Sequence, residues 1–207
     1  MFALVESGSI TQFPKGNKGI TIGDNQYPQT IYTLWTEAER NAIGIYTVEI
    51  DSTNRKDEKF YINTNITYAF GSGKVTGSYG TATAKAIADS LYTSQDKTDG
   101  LIPSDKDVGD VKVQGLKSIY KNQFNAQAAG LLAKTDWYVI KAADVTSYSI
   151  PSNITTYRAG VRTKVNAMET SIDNCSDVDA LITLLTYTTD SEGVTSRPLG
   201  EFPDEVV

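Results

Sequence analysis

Residues 131–175 read LLAKTDWYVIKAADVTSYSIPSNITTYRAGVRTKVNAMETSIDNC, and their periodicity decides the fold of the second half of the chain. Ile154, Tyr157, Val161, Val165, Met168 and Ile172 recur at intervals of three, four, four, three and four. Side chains at that spacing share one face of a helix, and such a seam docks one helix on another. Ser152 or Asn153 stands where an N-cap would accept from the free amides of the first turn. Upstream, Leu131-Leu132 ends an apolar helix before Asp136-Trp137, and Ile150-Pro151 closes the connection between the two helices. The stretch predicts a helical hairpin with a surface to offer and no catalytic constellation near it.

Outward from that hairpin the pattern stays helical. Leu116, Ile119, Tyr120, Phe124, Ala128 and Leu131 mark one face of a helix over about 111–134, weakened by Gly115 and Gly130. Leu181, Ile182, Leu184 and Leu185 predict a third, short helix over 178–185. From Thr188 the sequence has no period and carries two prolines, which predicts an extended tail over 188–207, ordered only by wrapping a neighbour.

The front of the chain has a different grammar. Phe2-Ala3-Leu4-Val5 and Ile10-Thr11-Gln12-Phe13 flank Ser7-Gly8-Ser9, and Ile20-Thr21-Ile22 is followed by Gly23-Asp24-Asn25; both read as hairpins. Thr36 and Glu39 make a capping box for a short helix over 36–43, with Gly44 beyond its end. Strands are predicted over 45–48, 59–63, 66–70 and 75–79. The alanine-rich TATAKAIADSL predicts a helix over 81–91, and the polar residues 93–110 a linker. The expected class is α+β. A small antiparallel β-rich domain over 1–92 with one short helix precedes a helical domain over 111–187 and the tail.

Composition removes several functions. The chain has 207 residues, a formal net charge of −6 and no run of basic residues, so nucleic acid is not an expected partner. No window approaches the ~18–20 apolar residues of a membrane span, and the N-terminal residues do not resemble a signal peptide. With one cysteine, Cys175, no intramolecular disulfide forms. There is no histidine, which removes Ser-His-Asp triads, Cys-His dyads and the usual zinc sites. No catalytic residue, cofactor or resident metal is assigned, and the protein is expected not to be an enzyme.

Other local signals have plain readings. Gly71-Ser72-Gly73-Lys74 lacks the spacing of a phosphate loop and reads as a β-turn. Asp96, Asp99, Asp105, Asp107 and Asp110 fall short of an EF-hand pattern and read as a solvated acidic loop, with calcium left open. Trp137 can cap the groove between two helices. If it is core, its removal costs roughly 3–5 kcal/mol. Arg158 and Arg162 lie one turn apart. Either they pair with Asp136 or solvent, or they present themselves with Tyr157 to a partner, since Trp, Tyr and Arg dominate interface hot spots.

LLAKTDWYVI followed by IPSNITTYRAGVR resembles the tail fibre assembly proteins and tail assembly chaperone-like proteins of tailed bacteriophages. The positions carrying the resemblance are Leu131, Leu132, Asp136, Trp137, Pro151, Tyr157, Arg158 and Arg162, with a second element at Trp35, Glu39, Gly44, Ile45 and Tyr46. Two features depart from the family pattern: Tyr138-Val139-Ile140-Lys141 reads as a strand, and the tail after Thr188 has no counterpart. The resemblance implies a non-enzymatic phage tail protein, found in the host cytoplasm during assembly, that binds a tail fibre or another tail protein. Such a protein either leaves after fibre trimerisation or stays in the virion. Trp137, Tyr157, Arg158 and Arg162 are then the expected partner-binding residues. Two alternatives are a permanent tail, baseplate or fibre component, and a glycan-binding adhesin at a fibre tip using Tyr61, Tyr68 and Tyr79. The sequence leaves the oligomeric state open.

Overall fold

A computed structural model describes residues 1–206 and divides the chain into two compact units, Met1–Thr83 and Ala84–Val207, with Val207 outside the described residues. The class is α+β, β-rich first and helical second.

The first unit runs β1 (Phe2–Glu6), β2 (Ser9–Gln12), β3 (Ile20–Ile22), β4 (Asn25–Tyr27), α1 (Ile31–Leu34), α2 (Glu37–Ala42), β5 (Ile45–Asp51), β6 (Tyr61–Ile62), β7 (Ile66–Gly71) and β8 (Lys74–Tyr79). Both predicted N-terminal hairpins form, β1 with β2 and β3 with β4. Ser7 and Gly8 take left-handed backbone in the first turn, as do Ser72 and Gly73 between β7 and β8, which is what two-residue hairpin loops require. Gly71-Ser72-Gly73-Lys74 is therefore a turn. The box on α2 is complete: Thr36 N–H donates to Glu39 Oε2 at 2.7 Å, and Glu39 N–H donates to Thr36 Oγ1 at 3.3 Å.

Five strands make one sheet in the order β2-β1-β5-β8-β7. It is mixed, not purely antiparallel, because β5 and β8 run parallel with Val48 opposite Val75. The chain leaves β5, returns as edge strand β7, and turns back through β8 into the place beside β5. Alternation along the strands fills both faces. Leu4 and Ile45 join Ile20, Ile31 and Tyr32 on one side, and Ala3, Val48 and Val75 form the cluster on the other.

After β9 (Thr83–Ala84), the second unit runs β10 (Ser90–Leu91), α3 (Ser94–Thr98), β11 (Val111–Val113), α4 (Leu116–Ala133), α5 (Asp136–Asp144), α6 (Ser152–Asp173), α7 (Val178–Leu185), β12 (Thr188–Thr189) and β13 (Thr195–Ser196). Three expectations are corrected here. The 81–91 helix does not form. The Ala86 and Ile87 carbonyls instead accept from the Leu116 and Lys117 amides at 3.0 and 3.1 Å. Asp89 accepts from Gly115 N–H and Ser118 Oγ, each at 2.7 Å. The segment caps the start of α4, and satisfying those orphan donors outweighs the helix propensity of alanine. A Cβ on Gly115 would lie 2.3 Å from the Ala88 carbonyl, so only glycine fits the crossing.

The second correction concerns 93–110, which is no linker. β10 pairs with β11 and closes the loop, α3 begins in a capping box of Thr93 and Asp96, and Lys112 pairs with Asp96. The unit boundary falls at Thr83/Ala84, not in this loop.

The helices themselves follow the seam. All six α6 positions named from the sequence are buried, as are Leu116, Phe124 and Ala128 of α4. α4 and α6 pack together antiparallel: Lys121 near the start of α4 pairs with Asp173 at the end of α6 at 2.8 Å. The N-cap of α6 is Pro151 and uses no side chain, so Ser152 and Asn153 lie inside the helix.

Third, the residues after Thr188 are not a free tail. β12 and β13 form a hairpin, Leu199 is 3% exposed, and its amide donates to the Leu184 carbonyl at 3.1 Å. Lys164 Nζ donates to the Leu199 carbonyl at 2.7 Å, and Lys134 pairs with Glu205. No helix among the described residues is long and apolar enough to cross a membrane.

Candidate functional site

The corner between α4 and α5 carries the motif residues. The last carbonyls of a helix have no partner inside it. Here the Leu132 carbonyl accepts from Thr135 N–H at 3.0 Å, Thr135 Oγ1 at 2.9 Å and Arg158 Nη1 at 2.9 Å. The same Nη1 donates to Thr135 Oγ1 at 2.7 Å, and Nη2 donates to Asp136 Oδ1 at 2.8 Å. A guanidinium suits this place because it is a rigid fork of donors with a charge that complements a helix C-terminus. Arg158 thus locks the end of α4 to the first residue of α5.

What the lock holds in place is an outward-facing helix. None of the nine residues of α5 is buried. Trp137 is 51% and Ile140 61% exposed. They stand three apart, with Lys141 one turn beyond Trp137, so the three share a face. Lys141 Nζ lies 5.7 Å from the Trp137 ring centroid and 4.4 Å from that of Tyr148. The Trp137 ring rests against Tyr138, with centroids 3.8 Å apart. The sequence read 138–141 as a strand. It is helix, and the missed signal was the local one: Asp136 in the first turn and Trp137/Lys141 at i, i+4.

The four expected contact residues therefore separate. Trp137 is a surface residue and caps no interhelical groove. Arg162 is exposed, its Nη1 reaching the Arg158 carbonyl at 3.4 Å. Tyr157 and Arg158 are 6% and 8% exposed and offer little surface to a partner, which places them in supporting roles. Burial raises the Tyr157 phenol pKa, and its hydroxyl has no hydrogen-bond partner among the described residues.

Several of the other candidates are internally engaged. The Lys112 ammonium, followed by the Thr93 amide and hydroxyl, holds the Asp96 carboxyl down at about 2. Asp99 accepts from Gln95 at 2.7 Å, and Asp110 from the Asp107 amide at 2.8 Å. No group of three or more His, Cys, Asp or Glu among the described residues is placed to hold a metal ion. Burial raises the Cys175 thiol pKa, which keeps it protonated. Tyr68 packs on Phe13 at 4.7 Å, and Tyr79 lies under the Arg55 guanidinium. Comparison with protein families, with curated proteins and with solved structures finds no match for this chain.

Proposed function

We propose that the protein is a non-enzymatic binding protein of the bacteriophage tail that engages a tail fibre polypeptide through the exposed face of α5 and assists its assembly. One observation carries the reading. A nine-residue helix leaves Trp137 and Ile140 to solvent although a buried arginine fixes its start. Exposed aromatic and aliphatic side chains on a rigid element are the anatomy of an interface hot spot. Fibre chains carry unpaired strand edges before they trimerise, and a partner that covers them prevents misassembly. The fibre as partner rests on the sequence resemblance at Asp136, Trp137, Tyr157, Arg158 and Arg162.

The test is co-purification of the full chain with a tail fibre polypeptide of the genome that encodes it. Binding is expected, and the double substitution Trp137→Ala with Ile140→Ser weakens it at least tenfold while the thermal melt stays put. Arg162→Ala gives a smaller loss. No association with the fibre defeats the tail reading. Association untouched by the double substitution removes α5 as the contact. Mass spectrometry of purified particles then separates an assembly factor that departs from a component that stays.

A further inference from the structure

A second feature lies in the first unit. Residues 14–19, PKGNKG, cross between β2 and β3 and line a cleft of about 410 Å³ together with Tyr32. That volume suits a small-molecule ligand. The loop is docked by its glycines. Gly16, with φ +71°, lies against the Phe2 and Tyr32 rings, where a Cβ would make 3.4 and 3.6 Å contacts. Gly19 crosses so near the Tyr27 carbonyl that a Cβ would stand 2.4 Å from it. Between and beside these anchors, Lys15, Asn17 and Lys18 project as exposed side chains.

The charge around this cleft is one-sided. Its lining includes two lysines and no aspartate or glutamate, in a chain of formal net charge −6. Among the described residues, neither lysine forms an ion pair, and neither the Asn17 side chain nor the amides of residues 16–18 form a hydrogen bond within the protein. Tyr32 closes the inner side. It is 7% exposed, and its hydroxyl has no hydrogen-bond partner among the described residues. Donors without internal acceptors, on a backbone held in one conformation, are the elements of an anion-binding concavity.

We propose that this cleft binds an oxyanion group, phosphate or carboxylate, carried on a sugar-sized molecule, with Lys15 and Lys18 supplying the charge and Asn17 and the loop amides the directed hydrogen bonds. The site does not depend on the α5 interface, so each stands or falls on its own test.

The experiment is an amide NMR titration of the full chain with inorganic phosphate and, separately, with glucuronate, at ionic strength held constant with chloride. Saturable shifts at Gly16, Asn17 and Lys18 are expected for at least one probe. The double substitution Lys15→Ala with Lys18→Ala is expected to raise the apparent dissociation constant about tenfold or more with an unchanged thermal melt. Saturation by phosphate alone assigns a phosphorylated ligand, and by glucuronate alone a carboxylated sugar. Absence of saturable shifts with both probes, or shifts that survive the double substitution, overturns the proposal.

Discussion

At the scale of the residue, Arg158 decides more than any other side chain. It sits 8% exposed, with its hydrogen bonds to the Leu132 carbonyl, Thr135 and Asp136 all within 2.9 Å. Arg158→Ala removes a buried charge-assisted network and is expected to cost about 2–4 kcal/mol in urea denaturation. Arg158→Lys keeps the charge but not the fork, and recovers only part of the loss. Trp137→Ala is expected to stay within about 1 kcal/mol, because half its surface is already in water. A loss of the size a core tryptophan gives would put that ring in an interior it does not occupy here. Asp96 adds a pH dependence. Its carboxyl titrates at about 2 in the fold against 3.8 ordinarily, so the native state holds the ionised form more tightly. The stabilisation is fully present above about pH 4 and disappears as pH falls through 2. Asp96→Asn is therefore expected to lower the urea midpoint at pH 6 and to do so by much less at pH 2. An equal gap at both pH values would mean that charge is not what Asp96 contributes.

At the scale of the element, local order was legible and non-local order was not. The α6 seam, the α2 capping box and the three hairpin turns are written in neighbours within four residues of each other, and the structure follows them. The 81–91 segment carries an equally local helix signal, yet its carbonyls and Asp89 serve a helix that begins more than twenty residues later. No window reveals that use. The same holds for β8, whose place beside β5 is set by a crossover and not by its own alternation. At the α4–α5 corner the sequence named Asp136 and Arg158 as one of two pairings for the arginine. It could not show that the pair turns α5 outward, because that depends on Thr135 being buried between them. The exposed face of α5 was thus only half visible: Trp137 as a residue, not the helix that carries it. Asp89→Ala tests the capping assignment. It should destabilise the second unit, and amide exchange should rise first at Gly115 and the opening turn of α4. Uniform exchange along α4 would show that the cap is not where the helix is held.

At the scale of the whole molecule, the last twenty residues distinguish a chain that completes its own core from one that waits for a neighbour. The sequence predicted an extended tail, with wrapping of a neighbour as the rival reading, because 188–207 has no hydrophobic period. Its apolar content is instead spent singly. Leu199 goes fully inside, and the Arg197 guanidinium lies 5.2 Å from the Phe124 ring centroid. Two lysines, Lys134 at the C-cap of α4 and Lys164 of α6, then fasten the segment by Glu205 and the Leu199 carbonyl. Burying a leucine side chain contributes roughly 1.5–3 kcal/mol, and the exposed Lys134–Glu205 pair little more than a few tenths. Ending the chain after Thr186 is therefore expected to destabilise the second unit by about 2–4 kcal/mol, through the lost leucine and the uncovered Phe124. For a unit of this size that lowers its midpoint by roughly 8 °C or more, read as a shift in helical circular dichroism. Unit one has its own core in the Leu4–Ile45 and Val48–Val75 clusters, so its amide resonances should persist at the temperature where the helical signal is lost. An unchanged helical midpoint after truncation would return the segment to the role of a strap for another chain, because a segment that contributes nothing to its own unit is free to bind elsewhere.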